Sequence, residues 1–460
     1  MTDYAKVSYW LESCGDDLTP RESLDGSIDV DVAILGAGYT GLWTAYYLQQ
    51  QDPSLSIAIV EREIVGFGAS GRNGAWCTSG FGAGPSLLTK RYSVQVATAV
   101  HDAMVDTVAE VGRVCEAEGI DAQFQRDGEF LLARGPHQID ALDSVMREYD
   151  QIGRGDFCRR MNATEASEFL NVQGIAGAVH QPASAAIHPG RLVRGLARVV
   201  ESRGARIFER TSAIKYTEGV NPILHTDNGD VRAKVVVLAG ESYLSEFPKL
   251  HRQVMPVYSL IVLTEPLSGS QLEEINWTHR SVVHSASLLV DYLSRTADGR
   301  ILFGGRGAPY HWGSKIRPEF DNHEPTHQRL RETFTEWFPQ LGEMKFTHAW
   351  GGSVGVPRDW MPTMTYDRAT GIASSRGYTG EGVAATNLGG RVLADQIVGA
   401  DTERVKFPMV GHHSRNWEIE PLRWIATRYL QTAAIKVDQK GARTGKARTG
   451  RSIAERLIGH

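Results

Sequence analysis

The residues that most directly suggest chemistry are three glycines and one glutamate in the first part of the chain. Gly36, Gly38 and Gly41 form the pattern GxGxxG, and Glu61 follows 20 residues after the last of them. The first glycine permits a tight turn, the second lets the backbone approach a pyrophosphate, and the third lets a helix pack closely on a strand. A carboxylate at the position of Glu61 can bind ribose hydroxyls and disfavours a 2′-phosphate. The spacing therefore predicts a dinucleotide site that does not favour NADP.

These residues need a strand, a helix and a second strand to position them, and the sequence predicts each. Residues 30–35 form a nearly continuous apolar run, which is typical of a parallel strand buried on both faces. A helix beginning near Tyr39 would direct its free N–H groups and positive dipole end at the phosphates. Asp52 and Pro53 would end that helix, and residues 56–62 (SIAIVER) predict the second strand. A glycine turn without a ligand is the alternative, which this order of elements disfavours.

Three later segments favour FAD over NAD as the ligand. Residues 66–76 (GFGASGRNGAW) form a loop rich in hydrogen-bond donors, which suits a pyrophosphate and a flavin edge. Residues 235–238 predict a third buried strand that ends at Ala239-Gly240. Residues 371–399 predict a strand, a glycine turn and a helix. The N-terminus of that helix could stabilise negative charge on a reduced flavin.

Together these segments resemble the D-amino-acid oxidase/glycine oxidase/sarcosine oxidase superfamily, with the nearest likeness to its γ-glutamylputrescine oxidoreductase branch. The likeness covers about residues 8–430. The motifs that carry it are SYW (8–10), GAGYTGL (36–42), GASGRNG (68–74), PVYSLIVLTEPL (256–267), DWMP (359–362), GYTGEG (377–382) and EPLRW (420–424).

The glycine segments and the resemblance together imply a set of FAD contacts. These are Gly36, Gly38, Tyr39, Thr40, Gly41, Glu61, Arg62, Gly68, Ala69, Ser70, Arg72, Asn73, Gly74, Ala75, Ala213, Ala239, Gly240, Gly377, Gly380, Glu381, Gly382, Val383 and Ala384. Ala213 enters this set because the superfamily binds adenine through the backbone at that position.

The resemblance also implies an α/β fold with a discontinuous Rossmann-type FAD-binding domain and an α+β substrate domain. The FAD-binding domain would comprise residues 1–90, 185–250 and 345–435. The substrate domain would comprise residues 91–184 and 251–344, with a mixed or antiparallel sheet. Residues 436–460 repeat ARTG and are strongly basic, which predicts a solvated tail.

The activity implied by the resemblance is oxidation of a primary or secondary amine, with transfer of a hydride to the flavin. The product would be an imine, which water hydrolyses to a carbonyl compound and ammonia or an amine. Position along the chain makes Tyr258, Arg306, Trp350 and Glu381 the candidate active-site residues. Arg306 could bind an anionic group on the substrate, because a guanidinium grips a carboxylate or phosphonate through two parallel bonds.

Departures from the superfamily leave several alternatives open. Members with covalent flavin use a Cys where this chain has Gly352, or a His in the loop that here spans 66–76 and contains none. We therefore expect noncovalent FAD. The oxygen-activating Lys of sarcosine oxidases has no counterpart in residues 299–307, so a dehydrogenase with another electron acceptor competes with an oxidase that uses O2. A non-catalytic FAD-binding subunit or sensor and an NAD-binding protein are further alternatives.

Composition excludes other classes of protein. The 460 residues include 49 Lys and Arg and 54 Asp and Glu, and a net charge of −5 gives no reason to expect nucleic acid as a partner. The four cysteines lie far apart, so no metal site is expected. No apolar stretch is long enough to span a bilayer. The sequence therefore predicts a cytoplasmic protein without a transmembrane span.

Overall fold

The computed structural model describes residues 2–448, and at Arg306 it describes the backbone alone. The strands in this part of the chain are β1 (Ile28–Leu35), β2 (Ile57–Val60), β3 (Trp76–Cys77), β4 (Glu129–Arg134), β5 (Arg159–Asn162), β6 (Ile175–Gln181), β7 (Ala185–Ala186), β8 (Arg206–Phe208), β9 (Ala213–Thr217), β10 (Ile223–Thr226), β11 (Gly229–Leu238), β12 (Met255–Thr264), β13 (Val282–Ser285), β14 (Asp291–Arg295), β15 (Ile301–Arg306), β16 (Phe346–Val356), β17 (Thr363–Asp367) and β18 (Ile372–Arg376).

The α-helices lie between these strands and after the last of them. They are α1 (Tyr9–Glu12), α2 (Tyr39–Gln51), α3 (Pro85–Arg91), α4 (Val94–Ala117), α5 (Ile139–Gln151), α6 (Ala163–Phe169), α7 (Pro189–Ser202), α8 (Gly269–Glu274), α9 (Glu324–Trp337), α10 (Gly382–Val398) and α11 (Leu422–Thr444). Among the helices of residues 2–448, none combines the length and the apolar character that crossing a bilayer requires.

The first sheet contains the strands predicted from the glycine segments. Its order is β17-β18-β11-β1-β2-β8; in addition, β10 pairs with β11, and β9 pairs with β10. Strand β1 pairs in parallel with both β2 and β11, and β11 pairs in parallel with β18. Helix α2 begins at Tyr39 as predicted, and Asp52 is its C-cap. The expected α/β fold is therefore confirmed, with a Rossmann-type βαβ unit at its centre.

Helices α2, α4 and α10 are held together by one hydrophobic core. Backbones approach closely in it, because a Cβ on Gly390 of α10 would lie 2.6 Å from the Cβ of Trp43 in α2. The same core includes Met104 and Val108 of α4. Helix α4 was predicted to belong to the substrate domain. The packing of α4 against α10 fixes the position of α4 relative to the first sheet.

The second sheet has the order β16-β12-β15-β14-β13-β4-β6-β5. Neighbouring strands in this sheet pair antiparallel, except that β13 and β4 pair in parallel. Strand β16 was expected in the FAD-binding domain, because the predicted domain division assigned residues 345–435 to that domain. It pairs with β12 from Met255 to Thr264, so its backbone hydrogen bonds place it in the second sheet.

The C-terminal segment also differs from its sequence-based description. The predicted tail starts at residue 436, yet α11 continues to Thr444. Asp438 accepts hydrogen bonds from the backbone N–H groups of Leu288 and Leu289. These bonds attach the beginning of the predicted tail to the loop between β13 and β14. Residues 449–460 of the predicted tail lie outside the described residues.

Gly41 should be intolerant of substitution, because it lies where α2 crosses the turn after β1. A Cβ there would lie 2.1 Å from the carbonyl oxygen of Gly36, which is backbone and cannot rotate away. We expect Gly41→Ala to lower the free energy of unfolding by about 1–3 kcal/mol or more, measured by urea denaturation. The matched control is Gly269→Ala, because a Cβ on Gly269 meets nothing within 4 Å. Equal midpoints for the two variants would contradict the packing argument.

Candidate functional site

A cavity of about 490 Å³ follows the carboxyl edge of the first sheet and reaches the second sheet. The turn after β1, the loop 66–76, the end of β11 and the start of α10 contribute to its wall. Ser259, His284 and Tyr292 of the second sheet close its other end. Ligands of open α/β sheets bind at the carboxyl ends of the strands, and this cavity occupies that place.

The glycine turn packs so closely against neighbouring segments that side chains at Gly36 and Gly38 would clash with them. Gly36 has a φ of +100°, and a Cβ on it would lie 2.9 Å from the carbonyl oxygen of Ala239. A Cβ on Gly38 would lie 2.9 Å from Ser70 Oγ, which itself accepts a hydrogen bond from the Tyr39 N–H. The first turn of α2 therefore meets the loop 66–76 at the cavity wall. This arrangement fits the pyrophosphate of FAD.

Glu61 faces the cavity just beyond the end of β2. Its carboxylate accepts hydrogen bonds from the N–H groups of Ala37, at 2.9 Å, and Glu63, at 3.0 Å. Burial raises the pKa of Glu61, although these two N–H donors oppose the shift. Ala213 and Thr211 line the cavity beside it. The carboxylate is thus fixed by the glycine turn at the cavity wall.

Internal hydrogen bonds hold the loop 66–76 in shape. Arg72 donates to the carbonyl of Phe67 and forms an ion pair with Asp321. Asn73 donates to the carbonyls of Ala69 and Ser70. The side chains of Arg72 and Asn73 therefore shape a loop of which most residues line the cavity.

Glu241 joins three segments at the middle of the cavity. Its carboxylate accepts hydrogen bonds from Gly377 N at 2.8 Å, Gly355 N at 3.1 Å and Tyr378 N at 3.3 Å. Gly355 belongs to β16, whereas Gly377 begins the turn that leads to α10. This one side chain therefore sets how the N-terminus of α10 approaches the cavity.

The structure brings most of the sequence-predicted cofactor residues to this cavity. Those that line it are Gly36, Gly38, Tyr39, Thr40, Glu61, Arg62, Gly68, Ala69, Ser70, Arg72, Asn73, Gly74, Ala213, Ala239, Gly240, Gly380, Glu381, Gly382 and Val383. Gly41, Ala75, Gly377 and Ala384 lie just behind the wall, each next to a residue that lines it.

The four candidate active-site residues are placed differently from one another. Glu381 lines the cavity. Trp350 is buried behind it and donates from Nε1 to the carbonyl of Arg72 at 2.9 Å. Tyr258 is 1% exposed, lies in the core of the second sheet and accepts a hydrogen bond from Arg317 N. Arg306 is the last residue of β15, opposite Ser259 in β12, and its side chain lies outside the described part of the structure.

Sequence reasoning missed several residues of the cavity wall. Glu241 directly follows Ala239-Gly240, so its position after a predicted strand was a usable signal. Thr78, Glu129 and His284 come from three separate segments. No spacing within the sequence relates these three residues, and only the pairing of β4 with β13 brings the last two together.

Glu241 should make stability depend on pH. Burial raises the pKa of Glu241 from an ordinary 4.5 to about 7, although its three N–H donors oppose the shift. The folded state therefore binds this proton more tightly than the unfolded chain does. Glu241 therefore contributes its full stabilisation of the folded state below pH 4.5, and this contribution is lost as the pH rises through 7.

Between about pH 5 and pH 8, the native protein should lose about 2–3 kcal/mol of unfolding free energy relative to Glu241→Gln. Urea denaturation at a series of pH values measures this difference. Glu246→Gln is the control, because that carboxylate forms a half-exposed ion pair with Arg62. Its pH profile should follow the native protein's. Parallel profiles for all three proteins would show that Glu241 is ionised throughout.

Comparison with known proteins agrees with this site. The family model described as FAD dependent oxidoreductase (DAO) matches residues 31–396. Gamma-glutamylputrescine oxidoreductase of Escherichia coli is 28% identical over 407 residues, which cover 88% of this chain and 91% of the relative. A probable oxidoreductase of Rhizobium meliloti is 29% identical over 402 residues, with 86% and 89% covered.

The fold has solved counterparts as well. The crystal structure of glycine oxidase from Geobacillus kaustophilus superposes with a TM-score of 0.66 at 20% identity, and covers 83% of this chain and 98% of that one. The family match extends over most of the chain, from β1 through nearly all of α10. This protein belongs to the FAD-dependent oxidoreductase family, and FAD is its cofactor.

Proposed function

We propose that this protein oxidises a primary or secondary amine. The observation that carries the proposal is the continuity of the cavity, which runs from the glycine turn to a chamber beneath the second sheet. Trp76 and Tyr292 line that chamber, with their ring centroids 6.1 Å apart. A substrate there would lie against the flavin end of the cofactor. The relative from Escherichia coli, whose name specifies a putrescine derivative, supports an amine as the substrate.

Different residues of the cavity wall would hold different parts of FAD. Glu61 would bind the adenosine ribose, the first turn of α2 the pyrophosphate, and the N-terminus of α10 the flavin ring. When bound there, FAD supplies a hydride acceptor at N5 for the carbon beside the amine. The protein contributes orientation and exclusion of water, since Trp76 and Tyr292 cover the chamber.

Further proposals concern single residues, the attachment of FAD and the cellular compartment. Glu381 would lie against the flavin, because it is the N-cap of α10 and lines the cavity. Arg306 would bind an anionic group on substrates that carry one, since its backbone lies opposite the cavity residue Ser259. Noncovalent attachment is supported by Gly352, which lines the cavity where related enzymes place the attaching Cys. The four cysteines are unpaired, which supports a reducing compartment such as the cytoplasm.

We propose oxygen as the electron acceptor. The second candidate is a dehydrogenase that passes its electrons to another acceptor. Strand β15 lies in the second sheet beside β12 and β14, and its sequence, ILFGGR, contains no Lys. That is the position at which oxygen-activating members of the superfamily carry one. Slow reaction of the reduced protein with oxygen would favour the dehydrogenase.

A panel of amines added without oxygen should bleach the flavin absorbance if the protein oxidises amines. Primary and secondary amines should reduce it, whereas matched alcohols should not. Admitting air then measures reoxidation and separates oxidase from dehydrogenase. A protein that keeps its oxidised spectrum with every amine would contradict the proposal and indicate an FAD-binding subunit or sensor.

Glu61 should be required for FAD binding. Each hydrogen bond from a ribose hydroxyl to a charged acceptor contributes about 1.5–3 kcal/mol, so Glu61→Ala should weaken FAD binding at least about tenfold. Flavin released by acid precipitation, compared per mole of protein, measures the loss. Glu63→Ala is the control, because Glu63 binds the hydroxyl of Tyr4 instead. Full flavin content in Glu61→Ala would refute the ribose assignment, and flavin kept in the acid pellet would refute noncovalent attachment.

A further inference from the structure

A buried carboxylate with three polar neighbours lies at the substrate end of the cavity. Glu129 Oε2 accepts hydrogen bonds from Thr78 Oγ1 and from Ser184 Oγ, both at 2.7 Å. Glu129 Oε1 lies 3.1 Å from His284 Nε2. The side chain of Glu129 is only 10% exposed, and Glu129, Thr78 and His284 all line the cavity. We call these four residues the Glu129 cluster.

The two hydroxyl groups fix one oxygen of this carboxylate, and the imidazole of His284 lies beside the other. His284 and the two hydroxyl groups together favour the charged form of Glu129. Burial alone would raise the pKa of Glu129, yet His284, Thr78 and Ser184 reverse the effect and lower it. A carboxylate whose pKa is lowered is a weak base and a lasting negative charge. The Glu129 cluster is therefore suited to hold a cation and poorly suited to remove a proton.

The surroundings of the cluster also suit a cation. The indole of Trp76 lies 5.7 Å from the imidazole of His284, centroid to centroid, and the Tyr292 ring follows on the same wall. Aromatic faces attract ammonium groups, and more strongly where water is excluded. Arg62 and Arg72 are the arginines among the described side chains of the cavity wall, and each is paired with a carboxylate.

We propose that the Glu129 cluster is a subsite for an ammonium group that does not react, so that the substrate carries a second cationic group besides the amine that is oxidised. This inference rests on the proposed amine oxidation and specifies its substrate class. The carboxylate of Glu129 provides the charge, Thr78 and Ser184 hold it in place, and Trp76 and Tyr292 form the walls.

The chemistry of the reaction excludes the reacting amine as the occupant. A hydride can leave the carbon beside an amine only when the nitrogen is neutral and can donate its lone pair. An ionised carboxylate in contact with that nitrogen would favour its protonated form and oppose the reaction. The group bound at the Glu129 cluster therefore lies at the other end of the substrate. A diamine-like molecule meets both requirements.

Diamines and monoamines of equal length test the subsite in the holoenzyme. The probes are α,ω-diaminoalkanes of three to six carbons and the matching alkylamines. We expect the native protein to bind a diamine more tightly than its monoamine by about 10- to 100-fold, because one charged hydrogen bond is gained. Calorimetry measures the two affinities, and anaerobic bleaching of the flavin measures the two reduction rates. Glu129→Gln should remove most of this preference, since it keeps the shape and loses the charge.

Glu116→Gln is the matched control, because Glu116 is exposed on α4 and does not line the cavity. It should keep the native preference, and flavin content and melting temperature should show that both variants are folded. No preference for diamines in the native protein would overturn the subsite. An equal loss of monoamine and diamine binding in Glu129→Gln would also overturn it, because a structural role predicts that result. Diamine binding without flavin reduction would support the subsite and contradict amine oxidation.

Discussion

Gly36 brings the backbones of β1 and β11 so close together that no side chain fits between them. Its missing Cβ would lie 2.9 Å from the carbonyl oxygen of Ala239, and that of Gly41 would lie 2.1 Å from the carbonyl of Gly36. Two strands and the first turn of α2 therefore converge on one point. Glu61 is attached to this point through Ala37 N, and Glu241 follows two residues after Ala239. The cofactor half of the cavity takes its shape from this contact.

The two sheets are joined across the cavity by polar side chains as well as by apolar packing. Glu241 binds the N–H of Gly355 in the second sheet and the N–H of Gly377 next to the first. The indole N–H of Trp350 in β16 binds the carbonyl of Arg72 in the loop 66–76. Each bond fixes the distance between the cofactor half and the substrate half. In the proposed function, this arrangement would orient a substrate at the second sheet toward a flavin at the first.

Three carboxylates of the cavity wall, Glu61, Glu129 and Glu241, differ in their partners. Glu61 and Glu241 accept hydrogen bonds from backbone N–H groups alone, and burial raises the pKa of each. Glu129 has two hydroxyl donors and a neighbouring imidazole, and its pKa is lowered. The partners thus decide the direction in which enclosure shifts the pKa of each carboxylate. Of these three, Glu129 is the one whose pKa is lowered, and it lies at the proposed substrate end of the cavity.

The sequence by itself determined the cofactor half. GxGxxG, Glu61 and the later glycine turns are local patterns, because turn geometry and backbone approach depend on residues close together in the chain. Only the tertiary structure decided the substrate half. Glu129 and His284 meet because β4 and β13 pair in parallel, and β16 belongs to the second sheet because it pairs with β12. Tyr258 and Trp350, chosen for their positions along the chain, lie behind the cavity wall. Strand pairing joins segments far apart in sequence, so no local spacing records which side chains will face one another.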